Sequence, residues 1–147
     1  MTYTVLFPTD GSDAAKNAAK RAIDLADRYD AELHVLAVVD ASIAFGAADT
    51  WNVSDVRDKA EKAAEEATAE IASLAEEAGI EATTAVVQGE PAERILEYVD
   101  REGIDAIAMS THGRSGVRRS LLGSVTDKVI RRSSVPVFVV PADVESA

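Results

Sequence analysis

Along the 147 residues, short apolar runs alternate with longer stretches in which apolar positions recur at helical spacing. Thr2 to Pro8 is apolar and β-rich and runs into Asp10-Gly11, which predicts a buried strand, with Ser12 behind it as a candidate helix N-cap. From Ala15 onward, Ala18, Ala19, Ala22, Ile23, Leu25, Ala26 and Tyr29 fall on one helical face and Lys16, Lys20, Arg21, Asp24 and Asp27 on the other. Leu33 to Val39 is then almost unbroken apolar sequence, the pattern of a strand covered on both faces, and His34 within it reads as a packing residue.

The segment from Asp40 to Val53 keeps neither period and reads as a mobile loop, with Trp51 anchoring it or covering a bound ligand as part of a lid. Ser54 is expected to cap a long helix whose stripe is Val56, Ala60, Ala63, Ala67, Ile71, Leu74 and Ala78, ended by Gly79. That narrow, alanine-rich stripe suits packing on a sheet better than a coiled coil. Ala82 to Val87 predicts a third strand, and Gly89-Glu90-Pro91 opens a third helix with Ile95, Leu96 and Val99 inward and Gly103 at its end. Ile104 to Met109 predicts a fourth strand. A loop rich in glycine and arginine follows, then a helix from about Ser124 with Val125, Val129 and Ile130 inward. Val135 to Val140 is the fifth strand, and Pro136, which has no amide proton, places it at or beside a sheet edge.

Five strands separated by four helices, without hairpin turns, imply crossover connections and a parallel sheet with helices on both faces. The expected fold is an open α/β sandwich. With neither repeat nor linker, residues 1–147 read as one domain.

Composition removes several classes of function. No apolar run approaches the roughly 20 residues that span a bilayer, and Met1-Thr2-Tyr3-Thr4 carries no basic region leading into an apolar stretch, so the chain reads as cytoplasmic. The lack of cysteine excludes disulfides, thiolate metal sites and cysteine nucleophiles. Twenty-six acidic residues against 15 Lys plus Arg give a net charge of −11, which repels nucleic-acid backbones and anionic membranes and would suit a salt-rich cytoplasm. The charge is uneven, however. Between Ser110 and Arg132, Arg114, Arg118, Arg119, Lys128, Arg131 and Arg132 face Asp127 alone, a local setting that attracts an anion.

In open α/β sheets ligands sit beyond the carboxyl ends of the strands, where strand order reverses. The densest signal at such an end is Ser110-Thr111-His112-Gly113-Arg114-Ser115-Gly116. Its small residues let backbone approach a ligand, and successive amides can form an anion-binding nest. Gly123-Ser124-Val125-Thr126 then opens the fourth helix, where free amides, the helix dipole and the Ser124 and Thr126 hydroxyls would face the same anion. The spacing is not that of a Walker loop: six residues separate Gly116 from Gly123 and no lysine follows. Nor does Asp10-Gly11-Ser12-Asp13 match a dinucleotide fingerprint. His112 has no acid nearby in sequence to orient it as a base.

These residues resemble the nucleotide-binding universal stress proteins, whose signature reads Gly, two residues, Gly, nine residues, Gly, then Ser or Thr. Gly113 fills the second position, Arg114 to Leu122 the nine, and Gly123-Ser124 the end. Ser110 stands where the family usually has its first glycine. Pro8-Thr9-Asp10-Gly11-Ser12, the strand from Leu33 to Asp40 and the ending from Val135 to Val140 extend the resemblance over nearly the whole chain.

The resemblance implies a Rossmann-like sheet of order 3-2-1-4-5, similar to that of adenine nucleotide alpha hydrolases, with ATP between the ends of strands 1 and 4 and Mg²⁺ or Mn²⁺ on its phosphates. It places Pro8, Thr9 and Asp10 at the nucleotide, Asp10 also near the metal through water, and the Val38 backbone at the adenine. Ser110, Gly113, Arg114, Ser115 and Gly116 would enclose the phosphates from one side, and Gly123, Ser124, Val125 and Thr126 from the other. It also implies a homodimer joined through Val135 to Val140. A second reading keeps the family but replaces ATP with another small ligand or a protein partner. An ATP pyrophosphatase fits less well, because the Thr9 to Asp13 loop lacks a second glycine, and a receiver domain lacks its strand 3 aspartate at Gln88-Gly89.

Overall fold

The computed structural model describes residues 2–40, 53–111 and 122–141. In chain order these form β1 (Thr4–Thr9), α1 (Asp13–Arg28), β2 (Glu32–Val39), α2 (Val53–Glu77), β3 (Ala82–Gln88), α3 (Pro91–Glu102), β4 (Ala106–Ser110), α4 (Ser124–Arg132) and β5 (Val137–Val140). The sheet has five parallel strands in the order β3-β2-β1-β4-β5. Both fold class and strand order are those expected.

The period-two alternation of β1 divides the core. Val5 and Phe7 point to the layer of α1 and α2, with Leu33, Val35 and Ile71, whereas Leu6 points to α3 and α4, with Leu36, Ile95, Ile107 and Val129. Central strands are therefore apolar on both faces, as the unbroken runs predicted.

Local chemistry fixes the helix ends. Ser12 Oγ accepts the Ala15 amide at 3.1 Å and caps α1. After α2, Gly79 adopts φ +83°, its amide donates to Glu76 O at 3.0 Å, and that of Ile80 to Ala75 O at 2.9 Å. This paired closure needs the left-handed residue that glycine supplies, and it buries Ile80 against the core. Glu90 caps α3, its carboxylate accepting the amides of Glu93 at 2.9 Å and Ala92 at 3.4 Å.

Several expected positions differ. Helix α2 begins at Val53, so Ser54 lies inside the first turn instead of capping it. Ala63 and Ala78 are exposed, because α2 buries Thr68, Ile71, Ala72 and Ala75 in its C-terminal half, where the sheet lies beneath it. Tyr29 is 49% exposed at the end of α1, beyond the covered surface, and stacks on Tyr3 with ring centroids 5.2 Å apart. Ile130 is 38% exposed: α4 turns Thr126 and Val129 inward and leaves Ile130 at the margin of the stripe. The β5 ladder starts at Val137, two residues later than expected, although Pro136 O still accepts the Ile107 amide at 2.9 Å.

His34 packs edge-on against Tyr98, and its Nδ1 lies 2.7 Å from the Tyr98 hydroxyl. Burial raises the Tyr98 phenol above its ordinary value of 10.0; Glu102 adds to the rise and Arg101 opposes it. The folded state thus holds this proton more tightly than the unfolded chain. The stabilisation is complete below the unfolded pKa of about 10 and is lost as pH rises through the folded value. Tyr98→Phe is expected to flatten the alkaline fall in stability, measured as urea midpoints between neutral pH and pH above 10.

Candidate functional site

The crevice arises from the way β1 and β4 part. Strand β1 pairs with β2 over its whole length, from Thr4↔Glu32 to Thr9↔Ala37, but with β4 only at Val5↔Ala106 and Leu6↔Ile107. Thr4 exchanges its backbone groups with Asp105 on the β4 side, its amide meeting Asp105 Oδ2 at 2.9 Å and its carbonyl accepting the Asp105 amide at 2.9 Å. With period two, residue 8 addresses the same side, and that residue is Pro8, which has no proton to give. The ladder ends before it. Strand order reverses at the same place, since β1 connects leftward to β2 while β4 lies to its right.

A cavity of about 370 Å³ occupies this opening. Its polar floor comes from Thr9 ending β1 and Asp10 after it, Asp40 after β2 and Ser110 ending β4. Leu36, Val38, Met109 and, from α3, Pro91 and Ile95 supply an apolar wall, Ala15 of α1 adds to the lining, and Gly123, Ser124, Val125 and Thr126 close the side formed by α4. A second cavity of about 460 Å³ adjoins it on the α1 and α2 side, lined by Ala60, Ala63, Ala64 and Ala67 and by Lys16 and Glu70, which pair at 3.3 Å.

Helix α4 presents its amino end differently from α1 and α3. Its N-cap is Gly123, at φ −65° and ψ 156°, with no side chain to accept a hydrogen bond. The first helical bond runs from the Asp127 amide to Gly123 O at 2.9 Å, so the amides of Ser124, Val125 and Thr126 have no intrahelical acceptor. The Gly123 amide itself donates to Thr111 O at 2.8 Å. Three backbone donors and the positive end of a helix dipole thus lie at the wall of an apolar crevice, an arrangement suited to an anionic group carried on an apolar ring. On the outer side, Lys128 Nζ lies 3.7 Å from Glu90 Oε2 and ties α4 to the cap of α3.

Pro8, Thr9, Asp10, Val38, Ser110, Gly123, Ser124, Val125 and Thr126 all line this one cavity. Gly113, Arg114, Ser115 and Gly116 lie outside the described residues, as do His112, Trp51 and nearly all of the expected loop from Asp40 to Val53. One donor differs from expectation: the Thr126 hydroxyl donates to Ser110 O at 2.9 Å and is spent within the protein. Sequence reading missed Leu36, Pro91, Ile95 and Met109, whose apolar character had already assigned them to core or helix start, and Asp40, which follows β2 without a motif around it. Among the described residues, no group of three or more His, Asp or Glu side chains could hold a metal ion, and no helix is long and apolar enough to cross a membrane.

A parallel sheet with a crevice at the reversal of strand order defines an open α/β protein of the Rossmann-like class. The profile of the Universal stress protein family matches residues 1–141. The chain is 37% identical over 138 residues to Universal stress protein MJ0531 of Methanocaldococcus jannaschii, covering 92% of this chain and 80% of that protein. Among solved structures, that of MJ0577 from the same organism superposes with a TM-score of 0.82 at 30% identity over 96% of both chains. A universal stress protein in complex with cAMP superposes with a TM-score of 0.67 at 27% identity over 97% of this chain and 98% of the other. The chain belongs to the universal stress protein family.

Proposed function

We propose that this protein binds ATP, as its Mg²⁺ or Mn²⁺ complex, in the crevice between the ends of β1 and β4, and serves as a binding and signalling module in a stress response. The observation that carries the reading is the junction of an apolar wall with the uncapped amino end of α4 in one cavity. Val38, Leu36, Ile95 and Met109 provide the apolar contacts that an adenine ring needs, and the Val38 backbone offers polar groups for its edge. Asp10 and Asp40 at the crevice floor would accept hydrogen bonds from the ribose hydroxyls. The amides of Ser124, Val125 and Thr126 then meet the phosphates, and the resemblance adds Gly113, Arg114, Ser115 and Gly116 from the other side. The volume of about 370 Å³ falls within the range of small-ligand pockets. The relative crystallised with cAMP supports an adenine nucleotide as the ligand class.

A divalent ion fits this donor set, because a triphosphate supplies most of its oxygens and water the rest, leaving Asp10 to contribute one carboxylate. The ion would neutralise phosphate charge. The acidic residues at the crevice, Asp10 and Asp40, make that neutralisation useful. Titration calorimetry with Mg-ATP and with Mg-GTP tests the reading: saturable heat for ATP and a much weaker response to GTP are expected, and silence for both refutes it. Ser110 favours the second reading, another small ligand or a protein partner, because a Cβ at that position restricts how closely phosphates approach backbone.

The homodimer is proposed to form through β5. That strand ends the sheet, and its Val139 is 36% exposed. An unpaired apolar edge promotes association, and antiparallel joining of two such edges about a two-fold axis satisfies both. Val139→Asp is expected to convert a species of dimer mass into a monomer by light scattering, with the far-ultraviolet circular dichroism unchanged.

A further inference from the structure

The chain leaves β4 and enters α4 through a stem of two hydrogen bonds. The Gly123 amide donates to Thr111 O at 2.8 Å, and Thr126 Oγ1 donates to Ser110 O at 2.9 Å. The Thr111 amide donates onward to Val140 O at 3.0 Å, which makes the stem continuous with the sheet. Thr126 is 4% exposed and Ser110 8%, so the side-chain bond is shielded from competing water. A threonine hydroxyl has one proton to give, and here it goes to a backbone carbonyl.

We propose that Thr126 is the positioning residue of the anion cradle, its hydroxyl acting through Ser110 and not donating to the ligand; this rests on the nucleotide reading above. Thr126 is the third residue of α4, and its amide is the last of the three that lack an intrahelical acceptor. Fixing it against the last residue of β4 sets the height and rotation of the Ser124 and Val125 amides over the crevice floor. The Lys128–Glu90 pair restrains the outer side of the same helix, but its groups are largely solvated and it holds only weakly. The buried Thr126 bond is the firmer of the two restraints. Because only phosphates would reach these amides, the effect belongs to ATP and spares adenosine.

The test compares wild type, Thr126→Val, which keeps the shape without the donor, and Thr126→Ser, which keeps the donor, by calorimetry with Mg-ATP and with adenosine and by thermal unfolding without ligand. One net hydrogen bond corresponds to a roughly 2–10-fold change in an equilibrium constant. Thr126→Val is expected to weaken Mg-ATP by about that factor, to leave adenosine unmoved and to lower the ligand-free Tm, while Thr126→Ser restores both the Mg-ATP affinity and the Tm. Mg-ATP affinity unchanged in a folded Thr126→Val overturns the proposal, and weakened affinity with an unmoved ligand-free Tm overturns it in favour of a direct contact. If Thr126→Val does not fold, Thr126→Ala against Thr126→Ser carries the same comparison. Failure of wild type to bind Mg-ATP overturns the nucleotide reading itself, and the role of Thr126 with it.

Discussion

Gly123→Val is expected to weaken Mg-ATP binding by about 10–100-fold while leaving the fold intact, measured by calorimetry and by thermal unfolding. Gly123 is buried in the crevice lining and sits at φ −65° and ψ 156°, an extended conformation open to valine. Its amide bond to Thr111 O and its carbonyl bond to the Asp127 amide can therefore both persist. What changes is the side chain at this point of the cavity lining, where an isopropyl group would compete with the phosphates for space. Overpacking of this kind costs typically 1–3 kcal/mol, which sets the expected factor. Unchanged affinity in the folded variant would place the anion elsewhere.

Phe7→Ala is expected to have the largest effect on stability, a loss of about 3–5 kcal/mol in urea unfolding. Phe7 is fully buried in the layer between β1 and the helices α1 and α2, in one cluster with Ala18, Ala22 and Val35 among others. Those neighbours are mostly small and sit on regular elements, so they cannot close the cavity left behind. For a chain of this length each kcal/mol lowers Tm by roughly 2–4 °C, giving a fall of about 6–20 °C. A loss below about 1 kcal/mol would mean that the α1 layer collapses readily and is less tightly packed than described.

The alternation of strands and helices was legible because burial on both faces of a parallel sheet leaves unbroken apolar runs, and because Ser12 and Gly79 carry side-chain or backbone chemistry that ends helices. Strand order came through the resemblance, since periodicity carries no information on which strands are neighbours. Errors cluster where a helix outruns the sheet. Tyr29 and Ala78 continue the apolar pattern of their helices past the covered surface, and nothing in a local repeat marks where the cover stops. At the site, glycines and serines near an arginine-rich stretch signalled an anion, whereas the apolar wall of Leu36, Ile95 and Met109 could not be told from core. Thr126 was read as a donor to the ligand for the same reason: sequence shows that a hydroxyl is present, and only the fold shows that Ser110 O takes its proton.

The most direct measurement is to purify the wild-type protein in high-salt buffer, denature it, and identify any released nucleotide by mass spectrometry, with Gly123→Val prepared in parallel. A near-stoichiometric adenine nucleotide is expected from wild type and little from the variant. Release of none from wild type, together with no heat on titration with Mg-ATP, would contradict it.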